Sequence, residues 1–585
     1  MSFFRELKER NVVKVALIYI VTAWVLAQVA DLALPAFGAP EWVLRVFLFF
    51  LLLGFPVALI MAWALELTPE GVKRAEVTVG EKRMWSITAL LAVAAVAWFQ
   101  YAGPELGRVG VTDQSIAVLP FSDLSPQGDQ QYFGDGIAEE ILNLLAQNPE
   151  LRVAGRTSSF KFRGEETDLR DVGRQLSVAH VLEGSVRKSG ERLRITAQLI
   201  DAETGYHLWS DTFDTEVRDV FAVQDRIGRS IVQALNANLQ GGAAASSQVA
   251  DIDAYGLVLR GRALVAARGA YNIRDGIDMF EAAAIIDPNY ADAWGELAFA
   301  SALALQWHLG GDPIDYATLS EMAAERALAL DPQNAAAYVG VGMRKMYSSW
   351  DWEGAEAALL RAFDIAPGSS RVANFLGDFY GRSGDLDKQK HFETLAVDLD
   401  PLFAINHHDL AEYYLLVGDG EKAYESARRF EELTGPIPNS SAFMMSLIRL
   451  GRWEEAEAHR DKLVAAGGEQ SFQAYWAELT WRASRNDVAG LREYVARIVE
   501  SGTLDLIGES QVGMAFAAVG ECDEAAYWME IAYEKHIGQL THPAFKTSAA
   551  QCPGSKAWQA FWRHPEMKAL SDLRIANGSP SLRFY

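Results

Sequence analysis

The sequence predicts a multi-domain chain, with a three-helix transmembrane anchor, a small α/β domain and an all-α superhelix built from helix hairpins. Three observations predict this fold class. Long uncharged apolar runs are confined to residues 1–103, mixed strand and helix patterns occupy about residues 113–240, and a set of residues recurs about every 34 positions within 251–540. Hydropathy indicates the anchor, hydrophobic periodicity indicates the α/β domain, and internal repetition indicates the superhelix.

The predicted anchor consists of three apolar segments, at about residues 12–33, 42–65 and 84–102. Each is close to the roughly 20 residues that a helix needs to cross the hydrocarbon core of a bilayer. Buried core helices are the alternative, but the helices of soluble proteins rarely lack a polar face over such a length. A lipid bilayer is therefore the first partner that the sequence predicts.

Basic residues flank these segments unevenly. Four precede the first segment and four lie between the second and third, namely Arg5, Lys8, Arg10, Lys14, Lys73, Arg74, Lys82 and Arg83. Because cytoplasmic loops carry an excess of Lys and Arg, this bias predicts a bacterial inner-membrane protein with a cytoplasmic N-terminus. The residues after about 103 would then be periplasmic. If the third segment does not cross, the same residues would lie in the cytoplasm.

Charge and cysteine content exclude several classes of function. The net charge of −24 argues against binding nucleic acid by neutralising phosphates. Two cysteines, Cys522 and Cys552, are too few for a disulfide framework or a Cys-rich zinc module. In an oxidising compartment we expect these two to pair and to tie residues 541–555 to the last hairpin, with two free thiols as the alternative.

Strand and helix patterns alternate through the small domain. Strands are predicted at 115–121, 179–186 and 193–200, and helices at 137–146, 169–176 and 220–239, which gives an α/β sandwich. Three carboxylates cluster at the start of its first helix, namely Asp135, just before the helix, and Glu139 and Glu140 within it. Such a cluster can hold a metal or transfer protons. We interpret it instead as an N-cap and the solvated first turn of a helix.

Several short sequence motifs in this domain match a known family. They are SIAVLPF at 115–121, FGDGI at 133–137, LEGSVR at 182–187, RITAQLI at 194–200 and LWS at 208–210. Because of these motifs, the domain resembles the TolB amino-terminal-like domains of many bacterial membrane proteins. In that family the domain can follow a winged-helix DNA-binding domain or a nucleotide cyclase domain. Since neither is recognisable here, the resemblance implies an adaptor or assembly role.

The repeats are marked by prolines, each at the end of a short, similar sequence motif. Pro288, Pro332, Pro367 and Pro401 are separated by 44, 35 and 34 residues. One repeat is nearly complete, with Leu376, Gly377, Tyr380, Gly384, Ala396 and Pro401. This pattern resembles the tetratricopeptide repeat. The resemblance implies about eight helix hairpins over 251–540, followed by a C-terminal cap at 541–585.

Stacked hairpins of this kind form a concave groove that binds a peptide or protein segment. General groove geometry places six candidate contact residues on the first helices of the repeats, namely Arg344, Tyr347, Asn374, Asp378, His408 and Glu412. The alternative is that these residues form solvated faces without a ligand. The adjacent pair His407 and His408 is not a metal pair, because neighbouring residues on a helix point apart.

No catalytic, phosphate-binding, cofactor-binding or metal-binding motif is recognisable in the sequence. We therefore expect a non-enzymatic inner-membrane scaffold or adaptor, without a cofactor, whose periplasmic domains bind protein partners. One alternative is a transmembrane sensor that passes a periplasmic binding event to a separate cytoplasmic effector. Another is a protein that binds or modifies an envelope polymer.

Overall fold

The computed structural model describes most of residues 114–577 and a few positions before them. Before residue 114 the described positions are 19, 22, 23, 26, 51, 55, 65–68 and 71–74. The stretches left out after residue 114 are 129–130, 149, 164–167, 191, 217–219, 236–250, 307–314, 436–440, 468–471, 503, 505–507, 536–553 and 578–585. The chain divides into two compact units, Met1–Arg108 and Val109–Tyr585.

The first unit contains one described hairpin. Strand β1 (Leu65–Thr68) pairs antiparallel with β2 (Gly71–Arg74), and Leu65 lies opposite Arg74. Elsewhere in this unit, the hydroxyl of Tyr19 donates a hydrogen bond of 2.6 Å to the carbonyl of Leu51, and its ring lies 5.5 Å from that of Phe55.

The predicted transmembrane anchor requires correction. Among the described residues, no helix combines the length and the apolar character that crossing a bilayer requires. Over the described part of the chain, the predicted three-helix anchor is therefore wrong, and so are the bilayer contact and the inner-membrane location that depended on it. The segments 12–33, 42–65 and 84–102 lie almost entirely outside the described residues, and Leu65 begins strand β1 instead of ending a helix.

The α/β domain begins the second unit. Its strands are β3 (Ser115–Val118), β4 (Ser122–Asp123), β5 (Arg152–Val153), β6 (His180–Ser189), β7 (Arg192–Asp201) and β8 (His207–Glu216). Its helices are α1 (Gln131–Ala146), α2 (Arg156–Phe160), α3 (Leu169–Leu176) and α4 (Val220–Ala234). The sheet order is β5-β3-β6-β7-β8, and β4 also pairs with β6. Strand β3 is parallel to β5 and β6, whereas β6, β7 and β8 form an antiparallel meander.

Alternating burial explains how this sheet is covered. Ile116 and Val118 on β3 are fully buried and belong to the same apolar core as Ile137 and Ile141 of α1. Ala117 of β3 belongs to a second cluster on the other side of the pleat. Since successive side chains of a strand point to opposite faces, the central strand contributes to two cores. The predicted strand–helix alternation of this domain is confirmed.

Eight helix hairpins follow within the described residues. Their helices are α5 (Ile252–Ala267) with α6 (Ala270–Ile286), α7 (Ala291–Gln306) with α8 (Tyr316–Leu330), α9 (Ala335–Arg344) with α10 (Trp352–Ile365), α11 (Ser370–Ser383) with α12 (Leu386–Leu399), α13 (Ala404–Val417) with α14 (Gly420–Thr434), α15 (Ser441–Arg449) with α16 (Trp453–Gly467), α17 (Phe472–Ser484) with α18 (Val488–Glu500), and α19 (Glu509–Ala518) with α20 (Cys522–Glu534). A π-helical turn, Lys345–Ser349, extends α9.

A Gly-Asp turn shapes two of these hairpins. Gly384 and Gly418 end first helices with φ values of 88° and 86°, a left-handed conformation that glycine adopts without strain. The next residue, Asp385 or Asp419, caps the second helix by accepting a hydrogen bond from a backbone amide in its first turn. The tetratricopeptide-type helical fold is therefore present, and its Gly-Asp turns could be found in the sequence.

The second unit ends with a short hairpin that returns to the middle of the repeats. It consists of α21 (Lys556–Phe561) and α22 (Pro565–Ala576). Nε of Arg574 donates a hydrogen bond of 2.6 Å to the carbonyl of Arg382, at the end of α11. One apolar core runs from the sheet through the repeats to this hairpin. The α/β domain and the helical array are thus parts of a single compact body.

Candidate functional site

The structure brings five of the six predicted groove residues together in one side-chain cluster on the first helices of the repeats. Tyr347 lies in the π-helical turn, Asn374 and Asp378 on α11, and His408 and Glu412 on α13. These elements belong to the first helices of three consecutive hairpins, as the sequence predicted. We call the set formed by Tyr347, Asn374, Asp378, Arg382, Glu393, His408, Asp409 and Glu412 the inner-face cluster.

Arg344 is the predicted residue that lies apart from this set. It ends α9 and its Nη2 lies 3.0 Å from Oε1 of Glu321, on α8. The side chain of Arg344 is 16% exposed, whereas that of Glu321 is 53% exposed. Arg344 is therefore engaged with the second helix of the preceding hairpin and contributes no described contact to the inner-face cluster.

One half of the inner-face cluster is closed to solvent. The hydroxyl of Tyr347, which is 2% exposed, donates a hydrogen bond to Oδ2 of Asp378. The other oxygen of Asp378 accepts a hydrogen bond of 2.8 Å from Nε of Arg382, whose guanidinium also stacks 4.8 Å from the Tyr347 ring. Burial and the charge of Asp378 raise the pKa of Tyr347 well above its usual value. This half is locked by its own hydrogen bonds.

Asn374 links this closed half to α13. It is 4% exposed, and its Nδ2 donates a hydrogen bond of 2.7 Å to Oδ2 of Asp409. Oδ1 of Asp409 lies 3.2 Å from Nδ1 of His408. Both oxygens of Asp409 are thus used, one to anchor the carboxylate on α11 and the other to orient the imidazole.

The α13 half remains partly open. The side chains of His408, Asp409 and Glu412 are 24%, 26% and 37% exposed, and Nε2 of His408 lies 4.0 Å from Oε1 of Glu412. Burial alone would lower the pKa of His408, but the charge of Glu412 and the hydrogen bond to Asp409 outweigh it and raise the pKa to about 9. One donor atom from each of the three residues lies within 4.8 Å of the others.

Glu393 is a member of the cluster that sequence reasoning missed. It lies on α12, is 1% exposed, and its Oε2 has no hydrogen-bond partner among the described residues. Burial, followed by the charges of Asp409, Asp378 and Glu412, raises the pKa of Glu393 well above its usual value. The signal was a charged residue at an internal position of the repeat, eight residues before Pro401, where helices usually pack with apolar side chains.

A second polar network joins the α/β domain to the repeats. Arg262 of α5, whose side chain is 6% exposed, lies 2.7 Å from Glu140, 2.9 Å from Glu296 and 3.3 Å from Asp292. Glu139 is held 2.6 Å from Arg156. The expected solvated turn around Glu139 and Glu140 is therefore wrong, because α1 faces α5 across a buried interface.

A separate docking contact fixes α2 to the turn between α12 and α13. Oδ1 of Asp400 accepts a hydrogen bond of 2.7 Å from the amide of Ser158 and another from its hydroxyl. The Ser158 hydroxyl oxygen in turn accepts a hydrogen bond of 2.7 Å from the amide of Leu402. The α/β domain is therefore attached to the helical array at this turn as well as at α5.

Of the two cysteines, the structure describes only Cys522, the first residue of α20. It is in the disulfide-bonded form. Cys552 lies outside the described residues. The pairing of Cys522 with Cys552 remains a prediction.

Comparisons with known proteins match parts of the chain. A family model described as the second domain of HilA/YgeH-like transcriptional regulators matches residues 112–230. This match covers the α/β domain and stops before α5. It does not test the predicted resemblance to TolB amino-terminal-like domains, which remains a prediction.

A curated relative from Rhizobium meliloti (strain 1021), named putative adenylate cyclase 3, is 42% identical over 187 residues. The alignment spans 32% of this chain and 32% of the relative, so the chain matches about a third of the relative's length.

Two solved structures show low structural similarity to this chain. Human IFIT1 as a dimer with m7Gppp-AAAA has a TM-score of 0.34 and 18% identity, over 55% of this chain and 82% of that one. The TPR domain of P58(IPK) has a TM-score of 0.18 and 12% identity, over 57% of this chain and 95% of that one. At these TM-scores the likeness carries no argument about this chain.

Proposed function

We propose that the chain is a non-enzymatic protein-interaction scaffold whose helical repeats bind a partner polypeptide at the inner-face cluster. The observation that carries the proposal is the difference in exposure across the cluster. Tyr347 and Asn374 are locked inside by hydrogen bonds, whereas Asp409 and Glu412 on α13 are 26% and 37% exposed. A polypeptide that enters the inner face would therefore meet carboxylates first.

The partner that we propose is a segment rich in Lys or Arg. The chain carries a net charge of −24, and complementary charge accelerates encounter and selects among partners. Arg382 and His408 already neutralise part of the cluster, since each lies against a carboxylate. Glu412, at 37% exposed, is the carboxylate that a cationic side chain of the partner would reach most easily.

Fluorescence anisotropy with three labelled peptides of equal length tests this proposal. One peptide is Lys-rich, one is neutral and one is Glu-rich, and each is titrated with the full chain. We expect binding of the Lys-rich peptide alone, weakened by added salt, because exposed charges are screened. Equal binding of all three peptides, or no binding, would overturn the proposal.

A matched pair of variants assigns the binding to the inner face. Glu412→Gln removes the exposed charge on α13, whereas Glu353→Gln removes an exposed charge in the first turn of α10, outside the cluster. We expect only the first to weaken binding of the Lys-rich peptide. If both variants weaken it equally, the interaction depends on net charge and not on the inner-face cluster.

The name of the curated relative raises a second candidate function, nucleotide cyclisation. We propose that this chain does not catalyse it, since Glu139 and Glu140 are both engaged by arginines in a buried interface. The test is incubation of the purified chain with ATP and Mg²⁺ or Mn²⁺, followed by measurement of cyclic AMP. We expect no more product than with heat-denatured protein, and product above that background would overturn this part of the proposal.

A further inference from the structure

His408 and Glu412 occupy adjacent turns on one face of α13. Residues four positions apart on a helix are neighbours, and here Nε2 of His408 lies 4.0 Å from Oε1 of Glu412. Two ligands of a tetrahedral zinc ion, at about 2.0–2.2 Å from the metal, lie about 3.3 Å from each other. A small rotation of either side chain would bring this pair to that separation.

Asp409 holds the imidazole in a suitable orientation. Its Oδ1 lies 3.2 Å from Nδ1 of His408, and its Oδ2 is fixed by Asn374 at 2.7 Å. A metal-binding histidine usually donates its second ring nitrogen to a carboxylate, which fixes the tautomer and the direction of the free nitrogen. With Nδ1 directed at Asp409, Nε2 of His408 is the nitrogen left to face Glu412.

An independent observation at the same place is the buried carboxyl of Glu393. Its Oε2 lacks a hydrogen-bond partner among the described residues although the side chain is 1% exposed. The carboxyl lies over the inner face of α11, because a Cβ added at Gly377 would fall 2.6 Å from its Oε1. Burial, followed by the charges of Asp409, Asp378 and Glu412, raises the pKa of Glu393. A buried polar atom without a partner is costly, and positive charge bound in the cluster would reduce the repulsion among these carboxylates.

We propose that His408 and Glu412, with Asp409 behind the imidazole, form a binding site for a first-row divalent cation such as Zn²⁺. The donor set supports this class of ion, since imidazole suits zinc and its neighbours whereas Mg²⁺ prefers oxygen ligands alone. The cluster combines one imidazole nitrogen with carboxylate oxygens of Asp409 and Glu412, all from α13.

Calorimetric titration of the full chain with ZnCl₂, after removal of metal by a chelator, tests this site. The chain has ten histidines, so weak adventitious binding is expected in every variant. His408→Ala removes the proposed nitrogen ligand, and His391→Ala removes an exposed histidine of α12 as a matched control. We expect His408→Ala to weaken the tightest site at least about tenfold, the scale on which even outer-shell changes act, and His391→Ala to leave it unchanged.

Glu412→Gln keeps the result interpretable if His408→Ala disturbs folding. The substitution preserves the size of the side chain and removes only its charge, and circular dichroism establishes that the helices are retained. Loss of the tightest zinc site in this folded variant supports the proposal. Identical zinc isotherms for the wild type, His408→Ala and Glu412→Gln would overturn it, as would preferential binding of Mg²⁺.

One consequence rests on the proposed function. A cation bound between His408 and Glu412 neutralises the carboxylate that a Lys-rich segment would meet, so zinc should compete with the Lys-rich peptide. The two proposals fail separately in this experiment. If zinc binds without changing peptide affinity, the metal site stands and the competition is wrong. If the peptide binds but zinc does not, the metal site is wrong and the scaffold proposal stands.

Discussion

A single arginine holds the junction between the α/β domain and the repeats. Arg262 lies among Glu139, Glu140, Asp292 and Glu296, which are drawn from one helix of the α/β domain and one of the array. Burying charges is costly, but removing one partner of a buried ion network costs more, because the remaining charges stay uncompensated. The stability of the whole second unit should therefore depend on this residue.

Replacing Arg262 with Ala should lower the free energy of unfolding by about 3–5 kcal/mol. Urea denaturation followed by circular dichroism measures the change. Arg428→Ala is the control, since Arg428 is 52% exposed in its pair with Glu432, and exposed pairs contribute little. If the two variants unfold at the same urea concentration, the Arg262 network does not stabilise the junction.

Glu140 in the same network should make stability depend on pH. Burial, which Arg262 only partly offsets, raises the pKa of Glu140 to about 7 from an ordinary value of 4.5. At pH values between about 4.5 and about 7, Glu140 is therefore protonated in the folded chain and ionised in the unfolded chain. The free energy of unfolding therefore falls as the pH rises from about 4.5 to about 7, with the contribution of Glu140 fully present below this window and lost above it.

Glu140→Gln removes this titration. Across the same pH window, we expect its thermal midpoint to fall less than that of the wild type, as measured by differential scanning calorimetry. Because an amide does not ionise, the remaining pH dependence of the variant reports all other groups. Parallel curves for the two proteins would contradict the raised pKa of Glu140.

These residues show where sequence reasoning stops at the residue scale. Glu139 and Glu140 follow a turn-rich loop, and their position predicted a solvated start of a helix. Nothing local to α1 reveals that α5, about 120 residues later, covers this face with Arg262. By contrast, Tyr347, Asn374 and Asp378 could be placed on the first helices of their repeats, because the repeat period fixes where each first helix lies.

At the scale of elements, local patterns were sufficient. Helix α3 has the predicted bounds, and β6 and β7 correspond to the predicted strands at 179–186 and 193–200. Hydrophobic periodicity, together with the N-cap Asp168 of α3, determines these elements, and both are local properties of the sequence. The contacts between elements were not predicted, since the docking of α2 against the α12–α13 turn joins Ser158 to Asp400 across 242 residues.

Removing that docking contact should loosen α2 selectively. Asp400→Ala leaves the Ser158 amide and hydroxyl without their acceptor, and a buried donor without a partner costs about 1–3 kcal/mol. Hydrogen exchange followed by mass spectrometry should show faster exchange in residues 155–163. The control is Asp385→Ala, which removes the N-cap of α12 but does not touch α2.

In this comparison, faster exchange at residues 155–163 in both variants would indicate general destabilisation. Unchanged exchange in Asp400→Ala would contradict the docking contact. We expect Asp385→Ala to accelerate exchange only in the first turn of α12, where the amide of Lys388 loses its acceptor.

The predicted disulfide belongs to the same scale, because it would tie residues 541–555 to the start of α20. Cys522 and Cys552 enclose 30 residues, and closing such a loop stabilises the folded state by roughly 3–4 kcal/mol in the chain-entropy account. Alkylation of the unfolded chain without reductant should label no thiol, and alkylation after reduction should label two. Two labelled thiols before reduction would show that the cysteines are unpaired.

At the scale of the whole molecule, hydropathy was the least reliable guide. Long apolar runs in the first 103 residues predicted a membrane anchor, yet no described helix meets the requirements for a span. Hydropathy reports how apolar a segment is but not what covers it. Repetition was more informative, because each hairpin buries its faces against its neighbours and the period alone predicts that arrangement.

The C-terminal hairpin provides the final test of how the second unit is assembled. Trp558, Phe561 and Leu570 are fully buried, and the ring of Tyr533 on α20 stacks 4.1 Å from that of His564. The hairpin also reaches α11, where Asn577 donates a hydrogen bond of 3.0 Å to the carbonyl of Ser383. It therefore connects the last repeat to the middle of the array.

Deleting residues 554–585 should lower the thermal midpoint and accelerate hydrogen exchange at the end of α11, near residues 380–383, although these lie about 190 positions away in the sequence. The physical reason is that the deletion removes an apolar surface together with two hydrogen-bond donors, Arg574 and Asn577. The carbonyls of Arg382 and Ser383 at the end of α11 then lose their partners. Deleting residues 578–585 alone is the control and should change neither measurement. If exchange near residues 380–383 is the same in both truncated chains, the C-terminal hairpin does not stabilise the end of α11.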